Sequence, residues 1–234
     1  MKTFVEGQVW TREYPVRYSG ISFFARMTVI RLSDGRLMLH SPAPMDEDTC
    51  KEIDALGEVA FIVAPGSFHY FHVPAAQQAY PGAQTFICPG VEQKQPRLQF
   101  DHFLDDTPPQ EWADTFDQVL VRGARFIWEV AFFHHPSRTL VLVDLIENIG
   151  DNTRGAGLGI ELWWRLVFRM WNKARPAPEY QLGWKDKQAA RESLEKILAW
   201  DFEQIVLSHG DLVTENAQAV AREAWKTPLK HREK

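Results

Sequence analysis

The sequence predicts a layered α/β fold closed around one core, and three observations carry that prediction. The chain has 234 residues of which 45% are hydrophobic, enough to build a single domain over 1–234. Residues 59–64, VAFIVA, are an unbroken apolar run stopped by Pro65 and Gly66, the pattern of a strand buried on both faces. Residues 139–143, TLVLV, form a second such run that ends on Asp144, and segments of helical periodicity stand between the strand-like runs.

The elements follow in order. Residues 29–32 and 36–40 flank Ser33-Asp34-Gly35 and read as a β-hairpin, because Asp-Gly supplies the turn between two apolar runs. Residues 45–56 read as a helix with Asp46, Glu47 and Asp48 at the positive end of its dipole and Gly57 past its end. After the strand 59–64 come a short helix over 74–80 and a strand over 85–88. Residues 92–110 are polar, contain three prolines and read as a surface excursion.

Strands are expected at 118–121, 126–133 and 139–143, then a helix over 159–173. Apolar side chains, three of them tryptophans, cover most of that helix, and only Glu161, Arg165 and Arg169 form a polar stripe. The pattern fits a core helix or the interface of a homodimer, with a hydrophobic lid or a membrane-surface helix as alternatives. A second helix over 186–199 leads into a strand over 203–207 and the turn Ser208-His209-Gly210-Asp211. Thr214 is placed to cap a last helix over 215–226, and 227–234 is a charged tail expected to fray.

Composition narrows the function. A formal charge of −5 leaves no positive field for a phosphate backbone, so nucleic acid is excluded as a partner. No stretch approaches the roughly 20 apolar residues of a membrane span, and the start MKTFVEGQVW has no apolar leader, which predicts a cytoplasmic protein. Cys50 and Cys88 lack the spacing of a zinc knuckle or redox pair and read as two buried reduced thiols. Gly155-Ala156-Gly157-Leu158-Gly159 lacks the Lys-Ser/Thr of a phosphate-binding loop and reads as a hinge.

His40, His69, His72 and His209 stand where a strand has ended or a loop begins, and Asp144 closes the most strand-like run. Sites in α/β proteins are built from such strand ends, and neutral imidazoles with a carboxylate are the donors of metal centres.

In this order of elements, over about 20–226, the chain resembles the metallo-β-lactamase superfamily. That family carries an HxHxDH loop after a buried strand; here Ser67-Phe68-His69-Tyr70-Phe71-His72 keeps the second and fourth histidines, while Ser67 and Phe71 replace the first histidine and the aspartate. Residues 137–144, SRTLVLVD, are similar to the strand that ends on the bridging carboxylate, and Leu207-Ser208-His209-Gly210 to the turn with the last histidine. The middle histidine has no counterpart at 121–130; His134 and His135 lie at a hairpin turn. The patterns His40-Ser41-Pro42 and 133–145 also resemble a bacterial branch of the superfamily.

The resemblance implies a four-layer αββα sandwich with the site at one edge. It implies at most one divalent ion, held by His72, Asp144 and His209, with His69 as fourth ligand or general base. Zn is favoured, with Fe or Mn as alternatives, and His40, Ser67, Phe71 and His134 belong to the pocket. Two readings follow: a hydrolase of a small ester, lactone or thioester, or a metal-free descendant that binds a small molecule or a protein.

Overall fold

The computed structural model describes residues 1–18 and 20–230. Its first sheet runs in chain order through β1 (Lys2–Val5), β2 (Val9–Tyr18), β3 (Ile21–Arg31), β4 (Leu37–His40), β5 (Val59–Ala64), β6 (Gln84–Ile87) and β7 (His102–Phe103). β1 to β4 are antiparallel, and β4 to β7 are parallel. The parallel half needs crossovers, supplied by α1 (Glu47–Asp54), α2 (Val73–Ala79) and α3 (Val91–Lys94).

The second sheet has the order β11-β10-β9-β8, built from β8 (Phe116–Val121), β9 (Glu129–His134), β10 (Thr139–Val141) and β11 (Gln204–Val206). Between β10 and β11 the chain makes α4 (Leu158–Leu162), a π segment (Trp163–Val167), α5 (Pro178–Gly183) and α6 (Lys187–Leu198). It closes with α7 (Ala217–Ala224) and α8 (Lys226–Leu229).

The alternation of strand side chains divides the core. Val130, Phe132, Val141 and Val206 face the first sheet and pack with Val29, Leu39 and Ile62. Their neighbours Ala131, Phe133, Leu140 and Ile205 face the other way, onto Leu194 and Ile197 of α6 and Ala221 of α7. Ile53 of α1 and Val73 and Ala76 of α2 join the first sheet. The result is the expected mixed α/β sandwich, two sheets between helices. A third, smaller cluster of Ile149, Ile160, Trp164, Met170 and Trp171 sits apart, against Ile21 and Phe23 at the tip of the β2–β3 hairpin.

β5 spans the residues read from the sequence, because helices and the second sheet bury it along its whole length. Asp46 caps α1 by accepting from Thr49 N at 2.7 Å, and Asp186 caps α6 from Ala189 N at 3.0 Å. Both thiols are free, but only Cys88 is buried as expected; Cys50, on α1, is half-buried.

Other segments differ from expectation. The first sheet begins at Lys2, well before residue 20; the charges and Pro15 within β2 hide a strand that pairs with β3 over its whole length. Residues 92–110 contain part of α3 and all of β7, with Leu98 and Leu104 buried. The helix expected over 159–173 stops after the π segment, and Arg169 and Asn172 adopt left-handed backbone. Tertiary bonds override the helical composition: Trp171 Nε1 and Asn172 Nδ2 each donate to Asp151 at 2.7 Å, which turns the chain back. α7 begins after Asn216 without a cap from Thr214, and residues 226–229, expected partly in the tail, form α8 with Pro228 buried. Of the tail, 231–234 lie outside the described residues.

Candidate metal centre

Asp144 follows β10, and its position is fixed by a carboxylate from the neighbouring strand. Glu129, the first residue of β9, accepts from the backbone N–H groups of Val143, Asp144 and Leu145 at 2.7, 2.9 and 2.7 Å. Glu129 is wholly buried; burial and the charge of Asp144 push it up to about 8 against the pull of these three bonds.

His69 sits in the loop after β5. Gly66 lets this loop pass close to β10's exit, since a Cβ there would meet Val143 Cγ2 at 3.0 Å. Ser67 stitches the loop to the lead of β9: its N–H donates to Trp128 O at 2.8 Å and its Oγ accepts from Trp128 N at 3.1 Å. The His69 ring is then held by Ser41 Oγ, 2.7 Å from Nδ1.

His209 follows β11. Its Nδ1 donates to Phe24 O at 3.1 Å, which leaves Nε2 facing inward. The turn is clamped by Arg26, a buried cation on β3 that donates to Leu207 O, to Gly210 O at 2.8 Å and to Glu13 Oε1 at 2.6 Å. Gly210 has φ of +97° and a Cβ there would meet Asn148 O at 2.1 Å, so the turn requires glycine.

These three supports bring His69 Nε2 to 3.2 Å and His209 Nε2 to 3.4 Å from Asp144 Oδ1. All three donor atoms lie within 4.8 Å of one another, in buried side chains. Burial by itself would raise Asp144, but the charges and hydrogen bonds of His69 and His209 outweigh it and hold the carboxylate well below its usual range. Burial would lower His209; the bond and charge of Asp144, the charge of Glu147 and the Phe24 carbonyl outweigh it and raise the imidazole.

The donor set fits a divalent ion. A tetrahedral ion with bonds of about 2.0 Å spaces its donors by roughly 3.3 Å, the spacing of the two imidazole nitrogens from Asp144 Oδ1.

The other expected residues are placed differently. His72 is not one of the converging groups: it stands at the start of α2, its ring edge-on to Tyr14 at 5.2 Å on the cavity wall, and burial lowers its pKa. His40 lies between the sheets, edge-on to Phe132 at 5.3 Å, and burial pushes it down to about 3. His134 bonds Ser137 Oγ at 2.6 Å inside the second sheet. Neither of these two, nor Ser67, lines the cavity; Phe71 does, 65% exposed and stacked on Tyr70.

The trio opens into a cavity of about 600 Å³, walled by Tyr14, Phe23, Phe68, Trp164 and Phe168. Glu147 lines it too, buried, with Oε2 lacking a hydrogen-bond partner among the described residues. Burial, outweighing the pull of His209, pushes Glu147 up to about 8, with Asp144 and Glu179 adding to the rise. Arg26, Glu129 and Glu147 belong to no motif of the sequence, and Ser41 only to the pattern with His40 and Pro42. Arg26 and Glu129 do carry a signal, a lone charge inside an apolar run, which a fold tolerates only when it is paired.

This fold is found in solved metallo-β-lactamases. The DIM-1 metallo-β-lactamase exposed to ceftazidime superposes with a TM-score of 0.64 at 11% identity, over 97% of this chain and 95% of that one. A metallo-β-lactamase from Pontibacter korlensis gives 0.64 at 11%, over 96% and 97%. The FIM-1 enzyme from Pseudomonas aeruginosa in its mono-zinc form gives 0.62 at 12%, over 98% and 96%. At these identities the likeness defines a metallo-β-lactamase fold. Residues 6–156 match the model of DUF4336, a domain of unknown function, and the chain belongs to that family. No curated protein matches the chain.

Proposed function

We propose that the protein is a metal-dependent hydrolase of the metallo-β-lactamase fold, with one divalent ion held by His69, Asp144 and His209 and a small ester, lactone or thioester as substrate. The observation that carries this reading is the convergence of three donors from three remote loops, each with its own support behind it. His69 thus takes the ligand position that the sequence pattern gave to His72. Two imidazoles and a carboxylate suit Zn first, with Fe or Mn as alternatives, and three protein ligands leave room for substrate.

When bound, such an ion supplies Lewis acidity toward a carbonyl or a water molecule. The chain does the rest. Phe24 O and Ser41 Oγ orient the two imidazoles, and Glu129 fixes the carboxylate between them. The aromatic walls exclude water and seat the apolar part of a substrate. With Phe71 where the superfamily has an aspartate, Glu147 is a buried carboxyl in the cavity, beside Glu179, and its unpartnered Oε2 is open to hydrogen bonding with a water or a substrate.

Elemental analysis of the purified protein tests the assignment. We expect stoichiometric Zn, Fe or Mn in the wild type, its loss in His69→Ala, Asp144→Asn and His209→Ala, and its retention in His72→Ala. Absence of metal even after reconstitution, or loss in His72→Ala with retention in His69→Ala, overturns it. The first outcome leaves a metal-free binding protein as the reading.

A further inference from the structure

The chain between β10 and α5 carries an apolar surface that the fold leaves uncovered. Ile160 and Trp164 turn inward to the small cluster at the hairpin tip. Leu158, Leu162 and Leu166, spaced by four, face outward at 85%, 60% and 68% exposure, with Val167 beside them at 57%. Burying side chains of this size is worth on the order of 2 kcal/mol each; leaving four of them on one surface marks a contact with something other than water.

Charge identifies that contact. Over residues 151–173 the basic residues are Arg154, Arg165, Arg169 and Lys173 against the acids Asp151 and Glu161, on a chain whose net charge is −5. Arg165 is paired with Glu161 and Asp151. Arg169 and Lys173, both exposed, form no ion pair among the described residues. A second copy is a poor partner: a twofold contact would set this basic rim against itself. Exposed Leu, Val and Trp side chains followed in the chain by unpaired Arg and Lys are the composition of a surface that lies in the headgroup region of an anionic bilayer.

We propose that residues 154–173 are a docking surface for an anionic phospholipid bilayer, with Leu158, Leu162, Leu166 and Val167 entering the acyl boundary and Arg169 and Lys173 meeting the phosphates. The attachment is peripheral, since among the described residues no helix is long and apolar enough to cross a membrane. Trp163, Trp164 and Phe168 of the same segment line the cavity, so docking sets the mouth of the site against the bilayer. An amphiphilic molecule dissolved there reaches the cavity without passing through water. Docking itself requires no metal and does not rest on the hydrolase reading.

Co-sedimentation with vesicles tests the surface. Wild-type protein is expected to sediment with phosphatidylcholine vesicles containing phosphatidylglycerol, much less with phosphatidylcholine alone, and to be released by high salt. Leu162→Asp/Leu166→Asp, at exposed positions, should abolish binding while melting like the wild type. Arg169→Glu/Lys173→Glu should weaken it by roughly tenfold or more. Failure of the wild type to bind either vesicle overturns the proposal, as does undiminished binding by the Leu variant. A wild-type dimer in sedimentation velocity that the Leu variant dissolves, with no vesicle binding, assigns the face to a second copy instead.

Discussion

The loops that carry His69, Asp144 and His209 and the excursion over residues 150–173 leave the same sandwich edge, yet they are built on opposite terms. Each loop of the first kind is pinned by buried polar groups: Ser67 to Trp128, Glu129 to three amides, Arg26 to two carbonyls. The excursion has a cluster of its own, small and separate from the main core, and turns its remaining apolar side chains outward. Pre-organised donors need rigid support, whereas a surface that meets an external partner must be left without one. Buried polar groups here hold the donors of the site in place, while the excursion keeps its large apolar side chains exposed.

The largest loss is expected where the deepest of these pins is removed. Arg26→Met leaves Leu207 O and Gly210 O without their donor and Glu13 without its partner. A lost hydrogen bond from a charged donor costs about 1.5–3 kcal/mol, so urea denaturation should show a loss of about 3 kcal/mol. The damage should also reach the excursion little. A loss below 1 kcal/mol would mean that the turn around His209 stands without its clamp.

A smaller effect is expected from acid. His40 is buried between the sheets and its pKa is pushed from 6.5 down to about 3, so it stays neutral while the unfolded chain takes up a proton. The unfolded state then binds more protons, and stability present above pH 6.5 falls as the pH drops toward 3. One group gives about 1.4 kcal/mol per pH unit, or about 2 kcal/mol lost by about pH 5. His40→Gln should flatten that part of the stability profile; an unchanged slope would show that His40 titrates normally.

Much of the sandwich could be read because burial on both faces writes itself as an unbroken apolar run, as in β5 and β10. Asp144 and His209 were legible for a related reason: each stands where such a run stops. The choice between His69 and His72 was not legible, since both lie in one short loop and only the start of α2 at Val73 decides which ring turns toward Asp144. Ser41 was one residue from a histidine that the motif singled out, and the left-handed turn that aims it at His69 leaves no mark in composition. The break of the 159–173 helix depends on Asp151, Trp171 and Asn172 meeting in space. Local propensity carries no such information.

The least effect is expected on the excursion itself. Leu166 is 68% exposed and belongs to none of the three hydrophobic clusters, so Leu166→Ala removes little buried area and should change the unfolding free energy by no more than about 0.5 kcal/mol. The same truncation at a buried leucine such as Leu140 costs about 2–5 kcal/mol. Denaturation of the Leu166→Ala protein at two protein concentrations makes the measurement decisive. A loss well above 1 kcal/mol, growing with concentration in the wild type, would show that the face is already covered in solution. The distinction between a supported site and an open approach would then disappear.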